Sequence, residues 1–189
     1  MAEERNIHVK MAMAEVLGLY MIAFVGILIG SYGLKVFDGL GVIINVAMYL
    51  GIGLLVCTFI AFLNENLLLT GIFGILGIFL VSFNAMLGGN DATSAMVYMV
   101  AVGVFLLVMA LVSMMQPVKI LPVLLVVGGL AFIFLGMWYS DLTLGNGENL
   151  RAVVGALWLL TGIIATYMAA AITILVMKGK PLLPLLISK

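Results

Sequence analysis

The side chains that could support catalysis or metal binding are few and far apart in this sequence. The only histidine is His8 and the only cysteine is Cys57, which excludes an internal disulfide and a cysteine-built metal site. His8 lies in a polar leader, distant in sequence from Cys57, and no glycine-rich phosphate loop with a lysine follows. We therefore expect no catalytic residue, no metal and no cofactor, and we predict that the chain is not an enzyme.

Glu15 is the one acidic residue that lies inside a long apolar segment of the sequence. A carboxylate at mid-helix in a bilayer costs about 2.5–3.5 kcal/mol on insertion scales, and less near the interface. Two interpretations stay open. Glu15 either guards the mouth of a path, exchanging protons or meeting a cation, or it is an interfacial residue favoured by the helix dipole and paired with Lys10 or Arg5.

Composition identifies the class of protein. Of 189 residues, 66% are apolar and 8% are charged, against about 45–50% and about 25% in soluble domains. A water-soluble chain of this length could not bury so much apolar surface. We predict an integral, multi-pass membrane protein, and the formal net charge of zero argues against nucleic acid as a partner.

The apolar residues form six runs, each long enough to cross the roughly 30 Å apolar core of a bilayer. The loop before the fourth run carries Asp91, a residue that caps helices well. Trp138 and Tyr139 end the fifth run, where aromatic residues are typical of the membrane interface. We predict one all-α domain over residues 1–189, a six-helix bundle with spans at about 11–32, 39–63, 67–87, 95–115, 119–139 and 152–177.

The basic residues predict the orientation. Lys35 and Arg151 lie on one side of the predicted membrane, and six basic residues lie on the other. Because cytoplasmic loops carry the excess of lysine and arginine, both termini are expected in the cytoplasm, with the protein in the cell membrane. The six are Arg5, Lys10, Lys119, Lys178, Lys180 and Lys189.

Small and polar residues recur at helical spacing inside the runs. Bare backbone at such positions lets a neighbouring helix approach closely. The glycines predicted to make helix contacts are Gly26, Gly30, Gly71, Gly74, Gly77, Gly155 and Gly162. The polar residues expected to line a path or to join helices by hydrogen bonds are Asn45, Thr58, Thr70, Ser82, Asn84, Thr161, Thr166 and Thr173. Tyr49, Tyr98 and Tyr167 are expected either to form a narrow gate or to pack.

The last run carries the pattern GxxxxxxGxxAxYxA, followed by a glycine and a Leu-Pro pair. Its residues are Gly155, Gly162, Ala165, Tyr167, Ala169, Gly179, Leu183 and Pro184, and further matches are Tyr49, Gly51, Asn66, Phe73, Gly77, Phe79, Tyr98, Gly103 and Phe105. With six spans and this length, the chain resembles the acetate uptake transporter family, which includes bacterial succinate–acetate permeases. The resemblance covers nearly the whole chain.

The resemblance implies a path for a small monocarboxylate, accompanied by a proton, through each protomer of a ring-shaped homo-oligomer, hexameric in that family. It implies Glu15 at the cytoplasmic mouth and Tyr49, Leu76 and Tyr167 near the constriction. The glycine faces are expected to supply the contact surfaces of the ring.

The chain departs from the family's pattern at several positions of the path. Of the family's Asn-Pro-rich signature on the first helix, only Leu17-Gly18-Leu19 remains, and Met13-Ala14-Glu15-Val16 precedes it. Leu54 and Leu76 stand where a glutamine and a tyrosine are expected. The path predicted here, which includes Leu19, Leu76 and Tyr98, is therefore more apolar than the family's.

Three functions follow from these observations. The first is a transporter or channel for a small monocarboxylate such as acetate, coupled to protons. The second is a non-transporting structural or accessory subunit of a larger membrane complex, favoured by the missing signature. The third is a channel for a small neutral solute such as ammonia or an amide. A continuous cavity inside one protomer would favour passage, and a tightly filled protomer would favour a structural subunit.

Overall fold

A computed structural model describes residues 14–89, 91–116, 118–144, 148–179 and 183, and in this part of the chain the regular structure is helical. Each helix is long and apolar enough to cross a membrane. The predicted six-helix, all-α architecture is confirmed. The helices are α1 (Ala14–Gly33), α2 (Leu40–Leu63), α3 (Leu67–Gly89), α4 (Ala92–Ser113), α5 (Ile120–Leu144) and α6 (Glu148–Lys178).

The ends of the helices follow local chemistry. Asp91 precedes α4 in an extended conformation, and its carboxylate accepts a hydrogen bond from the backbone N–H of Ser94, so the predicted cap is confirmed. The fifth and sixth helices are longer than their apolar runs. The connection expected over residues 140–149 is largely helical, because α5 continues to Leu144 and α6 begins at Glu148.

The six helices form a closed ring in chain order, in which α6 returns to pack against α1. Neighbouring helices run in opposite directions. We call the end where α1, α3 and α5 begin the proximal end, and the other end the distal end. Three pairs pack most closely, namely α1 with α6, α2 with α3, and α4 with α5. The ring therefore consists of three tight antiparallel pairs joined by looser contacts.

Glycines explain the tightness of these pairs. A Cβ atom at Gly26 would lie 2.8 Å from the Cα of Gly162, and one at Gly30 would lie 2.6 Å from the backbone nitrogen of Leu159. The same backbone-to-backbone approach occurs between Gly51 of α2 and α3, where the virtual Cβ is 2.7 Å from the nitrogen of Val81. Close approach of this kind maximises van der Waals contact between the helices. This contact matters in a bilayer, because the hydrophobic effect does not drive helices together in lipid.

The predicted glycine contacts thus lie inside one chain. Gly26, Gly30, Gly155 and Gly162 join α1 to α6, and Gly77 joins α3 to α2. The two remaining positions face flexible side chains, Gly71 facing Met109 and Gly74 facing Thr58. The glycine faces expected to hold a ring of subunits together are occupied within the protomer, because each tight pair needs them for its own backbone approach.

The threonines do not join helices. Thr58, Thr70, Thr161, Thr166 and Thr173 each donate a 2.8 Å hydrogen bond to the carbonyl four residues earlier in the chain. A threonine on a helix satisfies its hydroxyl in this way without a partner helix. Ser82 is different, because its hydroxyl lies 3.1 Å from that of Tyr98 and so connects α3 to α4.

Candidate functional site

A cavity of about 40 Å³ lies on the axis of the ring, towards the proximal end. One water molecule needs about 10–15 Å³ by this kind of measure, so the space holds a few water-sized groups. We call it the proximal cavity. All six helices line it, through Leu19, Ile22, Val25, Leu54, Leu69, Ile72, Phe73, Leu76, Leu80, Leu106, Leu121, Leu124, Leu125, Gly128, Phe132, Trp158 and Thr161.

The lining of the proximal cavity is almost entirely aliphatic and aromatic. Leu19 and Leu76, two of the predicted path residues, lie in this lining together with Leu54. The Thr161 hydroxyl already donates to the Leu157 carbonyl. The prediction of an apolar path therefore agrees with the geometry on the axis of the bundle.

A second cavity, of about 60 Å³, lies towards the distal end and is called the distal cavity. Five helices line it, through Ile29, Tyr32, Leu40, Ile43, Phe83, Leu87, Met99, Leu135, Trp138 and Tyr139. Trp138 is only 5% exposed and faces the inside of the bundle, two residues before the apolar part of α5 ends at Ser140. Its position at the membrane interface stays a prediction.

A cluster of four rings separates the two cavities, which share no lining residue. We call it the aromatic layer, comprising Phe79, Phe83, Phe132 and Trp158. Phe132 meets Phe79 and Trp158 edge-on, each with a centroid distance of 4.8 Å, and Phe79 lies 5.5 Å from Phe83. Phe83 lines the distal cavity, whereas Phe132 and Trp158 line the proximal one. These rings therefore narrow the axis between the two cavities.

Glu15 lies in the first turn of α1, at the proximal end. Its Oε1 accepts a 2.9 Å hydrogen bond from Nδ2 of Asn66, the residue that precedes α3. The other side of the Asn66 amide accepts a hydrogen bond from the backbone N–H of Leu69 and so caps α3. The carboxylate is therefore held beside the helix starts that surround the proximal cavity. Lys10 and Arg5, its expected partners, lie outside the described residues.

A charged cluster occupies the distal end. The Arg151 guanidinium donates to the Tyr32 carbonyl at 3.0 Å and lies 5.0 Å from the centre of the Tyr32 ring. It also lies 3.7 Å from carboxylate oxygens of both Asp38 and Glu148, and Glu148 pairs with Lys35 at 2.7 Å. The hydrogen bond and charge of Lys35 lower the pKa of Glu148 below its ordinary value. This cluster ties the end of α1 to the start of α6 and carries no net charge.

The three predicted gate tyrosines lie on three different helices, α2, α4 and α6. Tyr98 stacks on Phe79 at 5.7 Å, so it supports the aromatic layer from the side of α4. Tyr49 is 75% exposed on the outside of the bundle, and neither Tyr49 nor Tyr167 lines the proximal or the distal cavity. Of the predicted path residues, the structure thus places Leu19 and Leu76 in the cavity lining, Glu15 at the proximal end and Tyr98 behind the layer.

Sequence reasoning missed Phe132 and Trp158. Both lie within long apolar runs, and their rings are in direct contact between the neighbouring helices α5 and α6. An apolar run that faces both lipid and core gives no polar side by which an inward aromatic could be recognised. Within the described residues, no cluster of three or more His, Cys, Asp or Glu side chains could hold a metal ion.

Comparison with solved structures identifies the fold. The structure of the bacterial acetate channel SatP superposes with a TM-score of 0.82, covers 94% of this chain and 99% of that chain, and shares 22% sequence identity. No family model matches the chain, and no curated protein matches it. The fold is therefore that of the acetate channel over almost its whole length, although most residues differ.

Proposed function

We propose that this membrane protein carries a small monocarboxylate such as acetate, together with a proton, along the axis of each protomer. One observation supports this most directly. The proximal cavity, lined by all six helices, lies on the axis of a fold shared end to end with an acetate channel. The proximal and distal cavities are separate in this structure, so passage also requires the side chains between them to move.

The apolar lining favours the protonated form of the acid. Moving an ionised carboxylate into an apolar medium costs far more than moving a neutral acid, which keeps only two polar atoms to desolvate. The proximal cavity offers no cationic side chain, and the aromatic layer offers only rings and one indole N–H. The acid therefore crosses the layer uncharged and releases its proton on the far side, which couples each molecule of acid to one proton.

Named residues have distinct roles in this proposal. Glu15, fixed by Asn66, exchanges the proton at the proximal mouth. Leu19 and Leu76 form the smooth wall of the cavity, and Tyr98 supports the aromatic layer through Phe79. Tyr49 and Tyr167 take no part in the path.

We further propose that the protein acts in the cell membrane as a homo-oligomer, hexameric as the family resemblance implies, with both termini in the cytoplasm. The outer surface of α2 supports contact with lipid or with another copy, because it exposes large apolar side chains such as Val56 and Phe59. Native mass measurement of the detergent-solubilised protein would give the number of copies.

The decisive experiment measures acetate entry into vesicles at several external pH values. Acetic acid crosses lipid unaided, so the comparison must include two matched variants of α3. Leu76→Trp fills the proximal cavity, whereas Ile78→Trp adds the same ring at a position that is 58% exposed on the outer face. We expect uptake to rise as pH falls, to drop to the level of protein-free vesicles in Leu76→Trp, and to persist in Ile78→Trp.

The alternatives give different outcomes. Passage of ammonia or an amide with no dependence of acetate entry on the protein would indicate a channel for neutral solutes. Entry equal to that of protein-free vesicles for every solute would indicate an accessory subunit of a larger complex.

A further inference from the structure

The two tryptophans of the chain share an unusual property. Both indole nitrogens are fully shielded, and neither Nε1 donates a hydrogen bond to an acceptor among the described residues. The residues themselves are nearly inaccessible, with 3% of Trp158 and 5% of Trp138 exposed. They are the only tryptophans among the 189 residues.

An unsatisfied indole donor is costly in the interior of a bundle. A buried donor left without an acceptor lowers the stability of the folded protein by roughly 1–3 kcal/mol relative to a paired one. Most buried polar groups therefore have partners. Phenylalanine would fill much of the same space without this cost. None of the described residues supplies an acceptor for these two donors.

The positions of the two indoles point to the nature of a suitable acceptor. Trp158 lines the proximal cavity and Trp138 lines the distal cavity, so each cavity on the axis has one of the two indole rings in its wall, and each shielded N–H reaches its cavity only when the ring moves. The ring of Trp158 also belongs to the aromatic layer, through its edge-on contact with Phe132. The two donors therefore lie on the two sides of the barrier that a solute must cross.

The distal indole has a further donor beside it. The Arg151 guanidinium lies 5.9 Å from the centre of the Trp138 ring, and Nε of Arg151 is also buried without an acceptor among the described residues. Arg151 does not line the distal cavity itself, but it lies beside the Trp138 ring that does. A carboxyl group, with two acceptor oxygens and little bulk, matches both cavities in chemistry.

We propose that the indole N–H groups of Trp158 and Trp138 are hydrogen-bond donors to the carboxyl oxygen of the permeating acid, one on each side of the aromatic layer. This inference rests on the proposed function. A neutral donor suits the task, because it binds the oxygen of the protonated acid without the strong attraction that a lysine would exert on an anion. The acid then exchanges one indole partner for the other as the rings of the layer part.

The presence of only two tryptophans makes the test direct. Protein labelled with ¹⁵N at the indole nitrogen gives two N–H signals in detergent, and Trp158→Phe assigns them by removing one. We expect added sodium acetate to move both proton signals downfield and to saturate, because hydrogen bonding deshields the donated proton. Sodium chloride at the same concentration is the control for ionic strength.

Flux measurements give a second readout. Trp158→Phe keeps an aromatic ring and removes the donor, so the half-saturation concentration for acetate should rise about fivefold, the worth of one neutral hydrogen bond. The maximal flux should not fall, because the smaller ring leaves more room. Tyr20→Phe also removes one hydrogen-bonding group, from a residue that is largely exposed on α1 and lines neither cavity, and it should change neither quantity.

The outcomes separate this inference from the proposed function. If acetate flux saturates while neither indole signal moves, the indoles do not bind the acid and the inference is overturned, although the transport function stands. If the protein carries no acetate and the signals stay fixed, both fail. Unchanged half-saturation in both Trp158→Phe and Trp138→Phe would also overturn the inference.

Discussion

The side-chain amide of Asn66 joins the start of α3 to the start of α1 by donating a 2.9 Å hydrogen bond to Glu15, 51 residues earlier in the chain. The same amide caps α3 through the Leu69 N–H. A single polar contact thus fixes the Glu15 carboxylate at the proximal mouth and a helix that contributes five residues to the proximal cavity.

This arrangement predicts that the effect of the charge of Glu15 can be measured separately from the effect of its hydrogen bond with Asn66. In Glu15→Gln the side-chain carbonyl still accepts from Asn66, so the melting temperature should stay close to that of the wild type. Acetate flux should fall severalfold, since the proton exchange has been removed. Asn66→Ala should lower the free energy of unfolding by about 1 kcal/mol through the lost cap. Glu15→Gln with undiminished flux at every pH would show that the carboxylate is only structural.

The contact between α1 and α6 gives a prediction about stability. In Gly26→Ala the new methyl group would lie 2.8 Å from backbone atoms of Gly162, which cannot move aside as a side chain could. Overpacking of this kind costs about 1–3 kcal/mol. The matched control is Gly41→Ala on α2, where nothing lies within 4 Å of the added atom. Thermal unfolding in detergent should show a lower melting temperature for Gly26→Ala and an unchanged one for Gly41→Ala. Equal melting temperatures of the two variants would contradict the packing argument.

The sequence was sufficient to predict the six helices, because a run of about 20 apolar residues has few alternatives to a helix in a bilayer. It also indicated the glycine contacts, since a Gly26–Gly30 spacing clears one helix face. It could not tell which partner would use that face. Contact within the protomer and contact between protomers require the same small residues, and only the fold shows that α6 occupies the α1 stripe.

The path residues were harder to predict, for a physical reason. In a soluble helix the polar face marks the outside, but α2 is apolar all round and gives no such mark. The sequence was therefore equally consistent with Tyr49 facing inward as a gate and with the outer position that Tyr49 occupies. Trp138 ends an apolar run, and that run showed neither that the indole faces the inside of the bundle nor that α5 continues through polar residues to Leu144.

The charged cluster at the distal end predicts how stability depends on pH. Lys35 lowers the pKa of Glu148 below its ordinary value of 4.5, so between the two values the unfolded chain binds more protons than the folded one. The stabilisation is therefore complete at neutral pH and is lost as the pH falls below about 4.5 towards the lowered folded value. Asp91, whose pKa is lowered by the Ser94 N–H, adds a contribution of the same sign.

Melting temperatures measured between pH 7 and pH 3 test this cluster. Glu148→Gln should reduce the acid-induced fall of the melting temperature and leave the part due to Asp91. Lys35→Gln should have a similar effect, and the double variant should add little, because the two residues share one interaction. An unaltered pH dependence in Glu148→Gln would mean that the ion pair contributes nothing measurable, as is common for exposed pairs.

The aromatic layer predicts a variant with increased flux. Phe132 touches both Phe79 and Trp158, so Phe132→Leu removes two of the three ring contacts of the layer and should open the axis between the cavities. We expect faster acetate entry and entry of a bulkier acid such as butyrate, at a cost in stability of up to about 3 kcal/mol for the lost ring contacts. The matched control is Phe59→Leu on the outer face, where the ring is 63% exposed. Vesicle uptake of acetate and butyrate measures both variants, and selectivity unchanged in Phe132→Leu but relaxed in Phe59→Leu would place the barrier outside the bundle axis.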